Sequence, residues 1–119
     1  MARRPVGKLQ QDEIRRGDVW WVDFYPARGS ESQKRRPAVV VSADPLNRIR
    51  RTVVVLPLST GPMPHPPLVI AVPSAGATTK AVCDQLRAVD RSRLMSRAGH
   101  MSSADIQAIE VALRQVLRL

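Results

Sequence analysis

Apolar positions come in short bursts along most of this chain, and only in its last twenty or so residues does their period change to that of a helix. The first burst is Asp18–Val19–Trp20–Trp21–Val22–Asp23–Phe24. It is rich in residues that suit a pleated, half-buried strand, and Pro26 ends it. A polar stretch, Ala27 to Arg36, reads as a loop. Pro37 then opens a second strand, Ala38–Val39–Val40–Val41–Ser42, whose nearly continuous apolar run implies burial on both faces. Asp44–Pro45 begins another loop, strongly basic from Asn47 to Arg51. A third strand runs from Thr52 to Ser59; Pro57 removes a ladder donor and predicts an edge or a bulge. Residues Thr60 to Pro67 carry four prolines, each fixing φ, and so predict a stiff loop. Leu68 to Val72 is a fourth strand. Ala81 to Val89 is a fifth, with a break near Asp84, and Arg91–Ser92–Arg93–Leu94 reads as a short helical turn.

The final segment carries the clearest signal. Ser102 stands where a helix N-cap would, and Asp105 puts a carboxylate near the positive end of the helix dipole. Ile106, Ile109, Leu113 and Val116 follow at spacings of three and four, on one helical face, with Arg114 and Arg118 in the last turns. Short strands in sequence followed by one amphipathic helix predict a small, strongly bent antiparallel sheet or barrel with the helix packed across it. With 119 residues and no internal repeat, one domain is expected, over residues 16–119. Residues 1–15 are polar and basic and read as a flexible N-terminal arm, with a short helical turn at Gln10–Ile14.

Composition narrows the class. Hydrophobic residues make up 44% of the chain and charged residues 24%, which argues against wholesale disorder. Lys and Arg number 19 against 10 Asp and Glu, a formal charge of +9, and only Lys8, Lys34 and Lys80 are lysines. Arginine keeps its charge and binds phosphate through a bidentate fork, so this excess points toward a polyanion, with nucleic acid the leading candidate over a plain solubility effect. A single cysteine, Cys83, excludes an intramolecular disulfide and reads as a small buried residue. His65 and His100 match no zinc spacing, so neither metal nor other cofactor is expected. No apolar stretch approaches the ~20 residues of a membrane span, and no apolar core follows the basic N-terminus as in a signal peptide. The expectation is a cytoplasmic protein with no membrane association.

Several stretches, taken in order, resemble the MazF/PemK toxin family. Arg16–Gly17–Asp18–Val19–Trp20 is similar to its opening strand and Pro26–Ala27–Arg28–Gly29–Ser30–Glu31 to its first loop. Arg36–Pro37–Ala38–Val39–Val40–Val41–Ser42 is similar to its second strand. Asp44, Asn47–Arg48, Thr52 and Pro57–Leu58–Ser59 continue the likeness, and Asp84–Gln85–Leu86–Arg87–Ala88–Val89–Asp90 with Arg93–Leu94 completes it. No one piece is specific; their shared order and spacing are. The resemblance implies an SH3-like barrel of about five to seven strands with a C-terminal helix. It also implies a homodimer, cleavage of single-stranded RNA at short sequence sites, and neutralisation by a cognate acidic antitoxin.

RNA carries its own nucleophile, the 2′-hydroxyl. A protein that cuts it must remove that proton, neutralise the phosphorane and protonate the leaving 5′-oxygen. The resemblance makes Arg36 the catalytic arginine, holding phosphate oxygens in its fork; outside that context it would read as a surface arginine beside Lys34 and Arg35. Ser59 matches a position often occupied by Thr and keeps its hydroxyl, which can hold a phosphate oxygen or relay a proton. Its bland alternative is a strand-end serine satisfying a turn. Glu31 matches a loop carboxylate near the RNA path, able to read a base edge or help deprotonate the 2′-hydroxyl. Ser32 stands where many members have Gln, with Gln33 one place on. Arg28 and Lys34 join Glu31 as RNA-binding candidates.

Asp84 matches the base-like aspartate of a subgroup resembling the Kid toxin. That subgroup has an arginine two positions earlier, where this chain has Val82, so Arg36 with Ser59 is the favoured catalytic pair. Asp84, Gln85 and Arg87 remain RNA-binding candidates, with ordering of the fifth strand and the dimer interface as their structural alternative. Trp20 and Trp21 point to opposite faces of their strand, so at most one can meet a given surface, and the inward one belongs to the core. A different function on the same fold is a CcdB-like toxin that poisons a protein target such as DNA gyrase without catalysis. A third possibility is a toxin-like chain without activity. The Arg36–Pro37 junction, Ser59 and the +9 charge favour RNA cleavage.

Overall fold

The structure, a computed structural model, describes residues 13–24 and 35–119. Seven strands, β1 (Asp18–Asp23), β2 (Arg35–Val40), β3 (Thr52–Ser59), β4 (Val69–Ala71), β5 (Lys80–Val82), β6 (Arg87–Asp90) and β7 (Leu94–His100), pair antiparallel throughout. Among the described residues two α-helices join them, a short α1 (Asp44–Ile49) and a C-terminal α2 (Ser103–Leu117). The sheet order is β4-β5-β3-β2-β1-β7, with β6 also on β3. The mainly β architecture with one long C-terminal helix is the one the sequence pattern predicts.

Alternation decides the packing. Val39 of β2 and Leu56 and Leu58 of β3 face α2 and join its Ile109 and Ala112 in one core. The residues between them, Ala38, Val40, Val53 and Val55, face the other way and meet Trp20, Val22, Phe24, Val89 and Leu94 in a second core. No described helix contributes to that second cluster. Val89 of β6 pairs with β3, and Leu94 of β7 with β1, yet both sit in it. The sheet must therefore curl on itself. This explains the unbroken apolar run of β2, since both of its faces are buried.

Pro57 turns out to lie in the central strand. β3 gives Thr52–Val55 to β6 and Leu58–Ser59 to β5 on one side, and Leu56 and Pro57 have no strand partner there. Val41 N–H donates to the Val54 carbonyl across the β2 side. By alternation the Pro57 nitrogen points to the opposite side, into that gap, so the missing donor breaks no ladder bond. The gap is filled by the 3-10 turn Cys83–Gln85, the break expected near Asp84.

Two elements depart from the sequence expectation. Asp44–Ile49, expected to be loop, is a helix: Pro45 enters its first turn, and the buried Asn47 amide donates to the Ser42 carbonyl at 2.9 Å while its oxygen accepts from Ser42 Oγ at 2.5 Å. Six residues are too few for a 3.6-residue period to show. Leu94–His100 is a strand that the pattern did not predict, because most of its side chains are exposed and no alternation marks it. The core also reaches back to Ile14, inside the stretch expected to be an arm, and Arg15 N–H donates to the buried Asp18 carboxylate at 3.0 Å. Gly17 follows with φ +93°, and a Cβ there would lie 2.7 Å from Ile106 Cδ1. The rest of the expected arm of residues 1–15, that is residues 1–12, lies outside the described residues, and so does part of the turn expected at Gln10–Ile14.

Candidate active site

The β1–β2 register pairs Trp21 with Pro37 and Val22 with Arg36. The β2–β3 register ends at the pair Ala38–Pro57, with Arg36 two residues before Ala38 and Ser59 two residues after Pro57 at this same end. Where these strand ends part, a groove of about 370 Å³ opens, lined by Trp21, Arg36, Pro37, Leu58, Ser59, Thr60 and Thr79. The two residues that resemblance makes catalytic, 23 positions apart in sequence, thus meet in one solvent-open cleft.

Each lining residue has a local reason for its place. Pro37 suits the entry to β2, where its fixed φ costs nothing and Arg36 is the last residue before the strand turns inward. Arg36 is exposed, with no ion pair to any described residue, so its fork is free for an anion. Ser59 ends β3, and its Oγ accepts from Gly61 N–H at 3.3 Å. That bond is the turn-satisfying role weighed above, but it uses only a lone pair; the hydroxyl proton is left to donate. The tryptophan pair splits as alternation requires. Trp20 is fully buried, whereas Trp21 is 44% exposed and forms one wall of the groove.

The other candidates are not gathered there. Asp84 and Gln85 are exposed on the turn at Cys83–Gln85, and Arg87 opens β6; none of the three lines the groove. The Arg87 guanidinium instead lies 5.0 Å over the Phe24 ring, a cation–π contact that fixes its stem. Cys83 is buried; loss of solvation, with the neighbouring Asp84 charge, pushes its thiol up to about 11, so it stays protonated and inert. Arg28, Glu31 and Lys34 lie outside the described residues. Thr60 and Thr79 are groove residues that sequence reasoning missed. Thr60 adjoins Ser59, but Thr79 reaches the site only through the β3–β5 pairing.

The histidines stand apart from the groove. His100 Nδ1 lies 2.9 Å from the buried Asp18 carboxylate, and His65 is exposed in the proline-rich loop. Among the described residues, no three His, Cys, Asp or Glu side chains stand where they could hold a metal ion together, and no helix is long and apolar enough to cross a membrane.

Comparison with known proteins gives the same reading along nearly the whole chain. The sequence profile of a family described as PemK-like, MazF-like toxin of type II toxin–antitoxin system matches residues 15–117. Endoribonuclease MazF9 of Mycobacterium tuberculosis is 36% identical over 118 residues, covering 89% of this chain and 98% of that relative. Endoribonuclease PemK of Escherichia coli is 32% identical over 94 residues, 76% of this chain and 69% of its own. A solved mycobacterial endoribonuclease in complex with its cognate antitoxin superposes with a TM-score of 0.72 at 25% identity, over 89% of this chain and 94% of that one. The family match along residues 15–117 and the shared fold lead to one conclusion: this chain belongs to the PemK/MazF family of type II toxin–antitoxin toxins.

Proposed function

We propose that this endoribonuclease toxin cuts single-stranded RNA in the Arg36–Ser59 groove, by attack of the 2′-hydroxyl on the adjacent phosphorus, leaving a 2′,3′-cyclic phosphate and a 5′-hydroxyl. The observation that carries this is the meeting of Arg36 and Ser59 in one open cleft. The Arg36 fork matches two phosphate oxygens and stabilises the charge that grows on them in the phosphorane. The Ser59 hydroxyl donates to a phosphate oxygen beside it. Trp21 offers an apolar wall on which a base can rest. The nucleophile comes from the substrate, so the protein's task is to position it and to move protons.

Cleavage in this scheme uses only side chains of the protein. A long RNA incubated with the protein in EDTA should be cut, and mapping the new ends should give 5′-hydroxyls. A 2′-deoxy sugar at the scissile nucleotide should block the cut. Cleavage that survives that substitution, or that stops on chelation, would overturn the mechanism. The working unit in this proposal is a homodimer, with Asp84, Gln85 and Arg87 contacting RNA beyond the cleft together with Arg28, Glu31 and Lys34. The partner that silences it is an acidic antitoxin, the antitoxin-bound neighbour being the structural precedent for such a complex.

A further inference from the structure

The cleft described so far has a phosphate-binding cation and a hydroxyl, but neither suits the last step. The leaving 5′-oxygen needs a proton as its bond to phosphorus breaks, and a guanidinium gives one up very reluctantly. The subgroup with an arginine two positions before its aspartate gives no help, because Val82 stands there.

The sheet supplies another cation. β5 pairs with β3 in a register that sets Lys80 opposite Ser59. Residues paired across strands project from the same face, one strand spacing (~4.8 Å) apart. Because β3 lies between β5 and β2, Lys80 comes to Ser59 from one neighbouring strand, and Arg36, which lines the same groove as Ser59, comes from the other. Lys80 is half-buried, and its ammonium donates to the carbonyl of Thr60, a groove residue, at 3.2 Å. Its chain neighbour Thr79 lines the groove as well. No carboxylate of the described residues pairs with Lys80. An ammonium has three N–H donors, so two remain for a ligand once Thr60 is satisfied.

We infer that Lys80 is a catalytic residue of this toxin, the proton donor to the leaving 5′-oxygen, placed across Ser59 from Arg36. This rests on the ribonuclease reading above and names the group which that reading lacks. In the step, the 2′-oxygen bonds to phosphorus as the bond from phosphorus to the 5′-oxygen breaks. The 2′-hydroxyl proton leaves to water, the 5′-oxygen takes a proton from Lys80 Nζ, and the resulting amine regains one from solvent. The Thr60 carbonyl holds the ammonium in place meanwhile.

The test uses two RNAs, one ordinary and one with sulfur in place of the scissile 5′-oxygen, since a thiolate leaves without a proton. Lys80→Arg keeps the charge and a donor to Thr60 but is a poor acid; Lys80→Met removes all three. Wild-type protein should cut both RNAs. Lys80→Arg should lose about 100-fold or more in single-turnover rate on ordinary RNA, with KM little changed, and should cut the 5′-thio RNA at close to the wild-type rate. Lys80→Met should be slow on ordinary RNA and likewise gain on the thio substrate, whereas Arg36→Ala should be slow on both. Variants of Lys80 that cut ordinary RNA at wild-type rate, or that lose equally on both substrates, would overturn the assignment. A wild-type protein that cuts neither RNA would instead remove the ribonuclease reading itself.

Discussion

Arg36 and Ser59 have little to do for the stability of the fold, and this is what makes them good probes of function. Arg36 is exposed and free of ion pairs among the described residues, and the Ser59 hydroxyl makes a single hydrogen bond among them, at 3.3 Å to the Gly61 amide. Arg36→Ala should therefore lower cleavage on the order of 100-fold or more by removing a donor aimed at transition-state charge, while circular dichroism and the melting temperature stay close to wild type. Ser59→Ala should also slow cleavage, and Ser59→Thr should preserve it, because the hydroxyl survives and the extra methyl points into an open cleft. Near-native cleavage by a folded Arg36→Ala protein would show that the site has been misplaced. The roles of single residues were partly legible in the chain: the adjacent tryptophans had to face opposite ways, and the structure buries Trp20 and leaves Trp21 in the groove. Which of them lay inside was not legible, since it depends on which face of β1 meets the curled half of the sheet.

At the scale of elements, α2 shows how much a local pattern can carry and where it stops. Ser102 caps the helix as its position implies, its Oγ accepting from Asp105 N–H at 3.2 Å. Asp105, read as a carboxylate favoured by the helix dipole, does something more. It is buried and accepts from both the amide (2.8 Å) and the hydroxyl (2.5 Å) of Ser74, whose oxygen in turn accepts from Ser102 N–H. The helix start is thereby tied to the turn after β4. Ser102→Ala should cost about 1 kcal/mol, the usual price of a lost cap. Asp105→Ala should cost more, about 1.5–3 kcal/mol, because two hydrogen bonds from Ser74 to a buried carboxylate are lost. Urea unfolding midpoints would rank the two; a smaller loss for Asp105→Ala would mean that the Ser74 tie is dispensable. β7 and α1 escaped detection for opposite reasons: β7 is a strand because the free edge of β1 pairs with it, and α1 because Asn47 is anchored inside.

For the whole molecule the governing quantity is charge. A formal +9 draws in polyanions without distinguishing them, so under the proposed function the field that gathers RNA would also gather an acidic antitoxin chain. If both ligands use the cleft around Arg36, they must compete. A labelled RNA made uncleavable by a 2′-deoxy sugar, bound to the toxin, should be released as the antitoxin is titrated in, and the same RNA should slow antitoxin association. RNA affinity should also fall steeply with salt, as expected where phosphate neutralisation dominates. Tight binding of both ligands at once would place inhibition at a distance from the cleft.

The local signals along the chain settled which segments would be strand or helix wherever one face is consistently buried, as in β1, β2, β3 and α2, because side-chain period is a property of neighbouring residues. The formal charge of +9, a sum over the chain, was legible as well and pointed toward an anionic partner. Register was beyond them. Whether Arg36 would meet Ser59, whether Pro57 would cost a ladder bond, and which cation would stand on the far side of Ser59 all follow from how three strands align, set by burial of two opposed faces in a curled sheet. Lys80 shows this most directly: in the sequence it is one of three lysines, and only the pairing of β5 with the end of β3 makes it a neighbour of the cleft.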